Sequence, residues 1–271
     1  MKVEKSIQSG NAVIGYSVEG AGFPIVFVHG FPMDHTAWDD FVKPLAEKYR
    51  VILADNAGFG KSSLPEQDLS MDYYSDGLKA ILDEEKITSC VMLGHSMGGY
   101  IVLNFAQRFP GYLKGYGLLH STSYADDEAK KKNRIEVAEA ARKSDGASFV
   151  SGMLHKLFGE QYSSFHEKEI AAMKVRFGTA ATAEGIAQAS LAMGKRQDTT
   201  GVLNDAKVPV LFIIGKDDKV IPPEKTLPLT HLPECSVIGI LNGTGHMGMI
   251  ESPDESRKKI IEWMELCTQA S

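Results

Sequence analysis

The stretch Val91-Met92-Leu93-Gly94-His95-Ser96-Met97-Gly98-Gly99-Tyr100 holds one hydroxyl between small residues, where two hydrophobic patterns meet. Cys90 to Leu93 is a short apolar run of the kind that forms a strand buried on both faces, and from Met97 onward Tyr100, Ile101, Leu103 and Phe105 fall at helical spacing. A chain that turns from strand to helix at Ser96 takes strained dihedrals and brings backbones close together, so residues without side chains are wanted at Gly94 and Gly98. The turn raises the Ser96 hydroxyl above the sheet. It also leaves the first N–H groups of the helix unpaired, so an oxyanion forming on a substrate carbonyl would meet the Met97 N–H. The chemistry that suits this arrangement is attack by serine on an acyl carbon.

The elements that must hold this junction follow from the rest of the pattern. Alternating runs over 3–8 and 12–18, split by Ser9-Gly10-Asn11, predict a hairpin at the antiparallel edge of a sheet. Continuous apolar runs over 24–28, 51–54, 115–120, 208–214 and 236–241 predict further buried strands. Helices are predicted over 36–48, over 70–85 with Ser70 or Asp72 as cap, from Met97 to about Arg108, and over 253–266 with Ile260, Ile261 and Met264 on its apolar side. The pattern changes from Ser121 to about Val202: no strand is evident, charges are dense, and Met and aromatic residues recur at Phe149, Met153, Phe158, Met173, Phe177 and Met193. Helical stretches broken at Gly146, Gly159, Gly178 and Gly194 fit this segment. In parallel sheets the carboxyl ends of the strands face one rim, so loops far apart in sequence can converge there.

On Gly-His-Ser-Met-Gly-Gly, set between a buried strand and an amphipathic helix, the chain resembles the α/β-hydrolase family, whose nucleophile elbow this looks like. The resemblance implies an α/β fold, a mostly parallel, eight-stranded, doubly wound sheet, with a core over 1–120 and 203–271 and a helical lid over 121–202. It implies Ser96 as nucleophile, and Asp218 in the turn Gly215-Lys216-Asp217-Asp218 as the residue that orients the histidine, with adjacent Asp217 the rival. It implies His246, in the glycine-rich loop after the last strand, as the base, and the Phe31 N–H, beside that of Met97, as the second oxyanion donor. His29 is read as shaping the Phe31 loop and Asp55 as structural. Phe31, His120 and Met153 are the candidates for substrate contact.

Two motifs imitate nucleotide sites. Gly60-Lys61-Ser62 matches the end of a P-loop, but Asp55 stands where the first glycine is needed, and a carboxylate there repels phosphate. The stretch instead resembles the Asp-x-x-Gly-x-Gly-x-Ser turn of the hydrolases, although Asn56 and Ala57 depart from the Arg or Pro many members carry. Gly243-x-Gly245-x-x-Gly248 matches a dinucleotide fingerprint, but too few residues follow to complete that unit.

With 271 residues, 43% of them hydrophobic, the chain can bury one large core. A net charge of -6 argues against a nucleic-acid surface, and the basic run Lys130 to Arg134 is flanked by acids, as on a solvated helix face. The first ten residues carry no secretory apolar segment and no stretch has the length of a membrane span, so a cytoplasmic protein, monomer or homodimer, is expected. Three cysteines without paired spacing suggest no disulfide framework, Cys90 and Cys235 reading as core residues at strand starts. Histidines without metalloenzyme spacing imply no metal, and no organic cofactor is implied. The expected activity is hydrolysis of a small carboxylic ester or lactone through an acyl-enzyme. The alternatives are C–C cleavage, lyase or perhydrolase chemistry on the same triad, or a ligand sensor without catalysis.

Overall fold

The computed structural model describes residues 1–269. Its centre is an eight-stranded sheet built from β1 (Val3–Ser9), β2 (Ala12–Glu19), β3 (Pro24–Val28), β4 (Arg50–Ala54), β5 (Cys90–His95), β6 (Leu113–Leu119), β7 (Val210–Gly215) and β8 (Ser236–Leu241), in the order β1-β2-β4-β3-β5-β6-β7-β8. The pairs β1/β2 and β2/β4 are antiparallel and every other pair is parallel. Strand β5 lies inside the sheet between β3 and β6, with all of its residues buried, as its unbroken apolar run demands. At the far edge β8 alternates, leaving Ile238 and Ile240 exposed.

Helices Met71–Glu84 and Met97–Arg108 cover the sheet, together with Pro253–Gln269. Ser70 caps the first by accepting the Tyr73 N–H at 3.1 Å. The helix predicted over 36–48 is shorter: a 3-10 turn His35–Trp38 runs into Asp39–Val42 and then opens into turns. Pro44 has no N–H to continue the ladder. The apolar face survives all the same, with Trp38, Phe41, Val42 and Leu45 buried. In the last helix Ile261 is exposed and Trp263 takes the inner position, its indole N–H donating to the Pro209 carbonyl at 2.9 Å. Cys90 is buried as expected, but Cys235 is exposed, because it precedes β8 on the open edge.

Between β6 and β7 the chain forms helices Glu128–Arg142, Gly146–Leu154, Glu160–Phe165, Glu167–Ala180, Ala183–Lys195 and Thr200–Asn204. Two of the predicted breaks are absent. Gly178 and Gly194 stay inside helices, where they allow close packing: a Cβ on Gly178 would lie 3.0 Å from Ala147 Cα, and one on Gly194 would lie 3.2 Å from the Arg134 side chain. A glycine here serves contact between helices. Backbone bonds tie the insertion to the rim of the sheet, Gly60 N–H to the Ala180 carbonyl at 2.9 Å and His246 N–H to the Leu157 carbonyl at 2.7 Å. Among the described residues no helix is long and apolar enough to cross a membrane.

Candidate active site

Ser96 takes φ 52° and ψ -116° at the start of the helix Met97–Arg108. A β-carbon on Gly94 would lie 2.2 Å from the Gly98 carbonyl oxygen, and one on Gly98 would lie 2.2 Å from that of Val28. The strained turn therefore requires both glycines. Such a conformation costs roughly 1–3 kcal/mol and persists only when its surroundings fix it. Here the Ser96 N–H donates to the Leu119 carbonyl at 2.9 Å, while the Ser96 carbonyl accepts from Gly99 N–H at 2.9 Å and from the Ser121 hydroxyl at 2.8 Å. Among the described residues, no backbone carbonyl takes the N–H of Met97 or of Phe31.

The Phe31 loop is shaped from beneath by His29. Its Nδ1 donates to the Gly30 carbonyl and its Nε2 accepts from Asn56 N–H, both at 2.9 Å, so the ring is neutral with both nitrogens engaged. Burial keeps its pKa below the ordinary value. Asp55 likewise joins loops: it accepts from the His35 N–H at 2.8 Å and ring at 2.9 Å, and from the Lys61 N–H at 2.9 Å.

Asp218 is buried after β7 with both oxygens occupied. Oδ1 accepts from the Val220 and Ile221 N–H groups at 2.9 Å each, and Oδ2 accepts from His246 Nδ1 at 2.8 Å and His120 Nδ1 at 3.2 Å. Burial alone would raise its pKa, but the charge of His246 and the hydrogen bonds from both histidines outweigh it and hold the carboxyl well below the usual range. Asp217, its rival, is exposed, and its N–H donates to the Thr244 carbonyl at 2.9 Å.

Two further histidines stand around His246. His120, at φ 49°, accepts the Gly248 N–H on Nε2 at 3.2 Å and so ties β6 to the histidine loop. His95 donates from Nε2 to the His246 carbonyl at 2.7 Å, its ring 4.9 Å from that of His246, and its Nδ1 is buried without a partner. Burial, with repulsion from His246 and His120, pushes its pKa well below the ordinary imidazole value. Donor atoms of His120, Asp218 and His246 lie within 4.8 Å of one another, and these are metal-ligating types. Asp218 already accepts from the Nδ1 atoms of both histidines, so the cluster reads as a buried hydrogen-bond network, with His246 Nε2 outside it.

Ser96 and His246 open onto one cavity of about 400 Å³, lined also by Phe31, Met153, Leu157 and Met193. Of the three residues expected to touch substrate, Phe31 and Met153 reach this cavity. His120 does not: it is buried behind it, on Asp218. Tyr100 and Arg196 line the cavity as well, neither being a substrate-contact candidate from sequence. Tyr100 lies one helical turn beyond Ser96, a spacing that points it to the same side, whereas nothing local marks Arg196, whose guanidinium lies 3.9 Å from the Tyr100 ring centroid.

Parallel strands that carry a serine, an aspartate and a histidine to one rim on the loops after β5, β7 and β8 are the mark of the α/β hydrolases. The chain belongs to that family, the α/β-hydrolase fold model matching residues 24–253, and it is an enzyme of that class. Over 97% of its length it is 28% identical to the 2-hydroxy-6-oxo-6-(2'-aminophenyl)hexa-2,4-dienoic acid hydrolase of Metapseudomonas resinovorans, covering 91% of that protein. The structure of a thermophilic esterase from Thermogutta terrifontis, solved with malate bound, superposes with a TM-score of 0.91 at 28% identity, covering 98% of this chain and 99% of the esterase. The enol-lactonase from Burkholderia xenovorans LB400 shares the fold, with a TM-score of 0.88 at 21% identity over 96% of this chain and all (100%) of the lactonase.

Proposed function

We propose that the protein is a serine hydrolase that cleaves a small carboxylic ester or lactone through an acyl-enzyme. The observation that carries this reading is the hydrogen bond of 2.8 Å from His246 Nδ1 to Asp218, which leaves Nε2 for the proton of a serine on the same cavity. Ser96 attacks the carbonyl carbon while His246 takes its proton and then delivers it to the leaving oxygen. Asp218 fixes the imidazole tautomer and stabilises the imidazolium. The N–H groups of Phe31 and Met97 receive the oxyanion, each such donor lowering the barrier by about 2.7 to 4 kcal/mol. Water, activated by the same histidine, releases the acid. The insertion over 121–202 acts as a lid, a role supported by Met153, Leu157 and Met193, which roof the cavity with apolar side chains. The esterase, 28% identical, supports the reaction class, and the dienoic acid hydrolase, also 28% identical, supports hydrolysis on this fold.

The test is the intact mass of the protein after brief exposure to a small fluorophosphonate, beside Ser96→Ala and His246→Ala. A single adduct on the wild type, missing from Ser96→Ala and strongly slowed in His246→Ala, is expected. Wild type left unmodified, or Ser96→Ala modified equally, would overturn the assignment.

A further inference from the structure

We propose that the cavity over Ser96 selects substrates carrying a carboxylate remote from the scissile carbonyl, received by a cationic wall of Lys130, Arg134, Arg196 and Lys225. The inference rests on the serine-hydrolase reading above and names its substrate class. The starting observation is an inversion of charge: the chain as a whole carries -6, yet the ionised side chains lining this cavity are those four cations against Asp126 and Asp127.

Of the two anions, Asp126 is ion-paired and Asp127 is exposed at a helix end. Asp126 lies between Arg134 Nε and Arg196 Nη2, each 2.9 Å from a different carboxylate oxygen. One carboxylate between two guanidinium groups leaves a positive charge in surplus. Asp127 caps the helix Glu128–Arg142, accepting the Lys130 N–H at 2.8 Å. Lys130 and Lys225 have exposed side chains and make no ion pair among the described residues.

Arg196 gives the wall a fixed member. It is 9% exposed, stacks on Tyr100 one turn beyond Ser96, and donates from its Nη groups to the carbonyls of Met193 and Tyr124 at 2.8 Å each. Its Nε is without a partner but sealed from solvent, so Arg196 acts on a ligand through its positive charge and its place in the cavity wall. A neutral acyl chain entering here displaces water from the exposed Lys130 and Lys225 and offers nothing in exchange. A carboxylate replaces that water with charge-assisted hydrogen bonds.

The experiment compares p-nitrophenyl monoesters of adipic and suberic acid with p-nitrophenyl hexanoate and octanoate, matched in chain length. The readout is the ratio of kcat/KM, acidic over neutral, which cancels effects common to both. The ratio is expected to exceed one at low ionic strength, to fall as salt screens the wall, and to drop up to about fivefold with each of Lys130→Gln and Lys225→Gln. A wild-type ratio below one, or a ratio unmoved by both substitutions and by salt, overturns the inference while leaving the hydrolase intact. If neither kind of ester is turned over, the hydrolase reading fails instead, and calorimetry of suberate with Ser96→Ala decides the charge preference. Binding weakened by the two lysine variants supports it, and absence of binding overturns it.

Discussion

At the scale of single residues, the histidine beside Ser96 carries a prediction with a sign. His95 is buried, donates from Nε2 to the His246 carbonyl, and has no acceptor for a proton on Nδ1, so the folded protein holds it neutral. The unfolded chain takes up that proton near the ordinary value of 6.5. Unfolding therefore binds protons as the pH drops below that value, and stability is lost by up to about 1.4 kcal/mol per pH unit for each such group until the folded ring is protonated. His29, also lowered by burial, acts in the same direction. His35 acts in the opposite one: burial disfavours its charge but Asp55 more than offsets this and raises its pKa, so its contribution is present at low pH and lost as pH rises. The difference between wild type and His95→Gln isolates the one group. The variant keeps a donor but cannot titrate, and its stability in urea is expected to fall less steeply between pH 6.5 and pH 5 than that of the wild type. Parallel slopes for the two proteins would show that His95 titrates normally in the fold.

At the scale of elements, the loop that carries His246 is held from outside the sheet. The Glu251 carboxylate accepts three backbone N–H groups: Gly159 of the insertion at 2.9 Å, and Gly245 at 3.0 Å and Met247 at 2.9 Å on either side of His246. Glu251→Ala is expected to cost on the order of 3 kcal/mol in urea unfolding and to lower kcat for a model ester by loosening the histidine, with Glu251→Gln recovering part of both. An alanine variant with unaltered kcat would show that the loop is fixed by the backbone alone. The tie to Gly159 was not legible in the sequence, because it joins segments far apart in the chain. What could be read was local. The hydrophobic runs marked the strands, Ser70 or Asp72 marked a cap that the structure assigns to Ser70, and Gly94 and Gly98 marked a turn that only residues without a β-carbon can make. Glycines at 178 and 194 misled, since their lack of a side chain serves contact between helices and a single sequence does not distinguish that use from a break. Arg196 was silent for a related reason: its meaning comes from Tyr100 and Asp126, which only the fold brings near it.

At the scale of the whole molecule, the question is whether the insertion and the sheet stand or fall together. One continuous hydrophobic cluster runs from Phe27, Trp38 and Leu93 in the sheet layers to Val150, Phe177 and Ile186 in the insertion. The backbone bonds of Gly60 to Ala180 and of His246 to Leu157 cross the boundary, and the buried Asp126–Arg196 pair closes the insertion on itself near its two ends. Removing the helices from the rim would expose Phe31, Phe59 and the surroundings of Ser96, at about 25 cal/mol for each Å² of apolar surface returned to water. Unfolding as a single cooperative unit is therefore expected. The chain supplies its own reporters, since both tryptophans, Trp38 and Trp263, are fully buried against the sheet, whereas the insertion is helical and weighs heavily in far-ultraviolet circular dichroism. Fluorescence and dichroism melts in urea should coincide in midpoint and in slope. A loss of dichroism that precedes the tryptophan transition would mean that the insertion opens alone, and access to Ser96 would then be set by that local equilibrium rather than by a cavity present in the folded ground state.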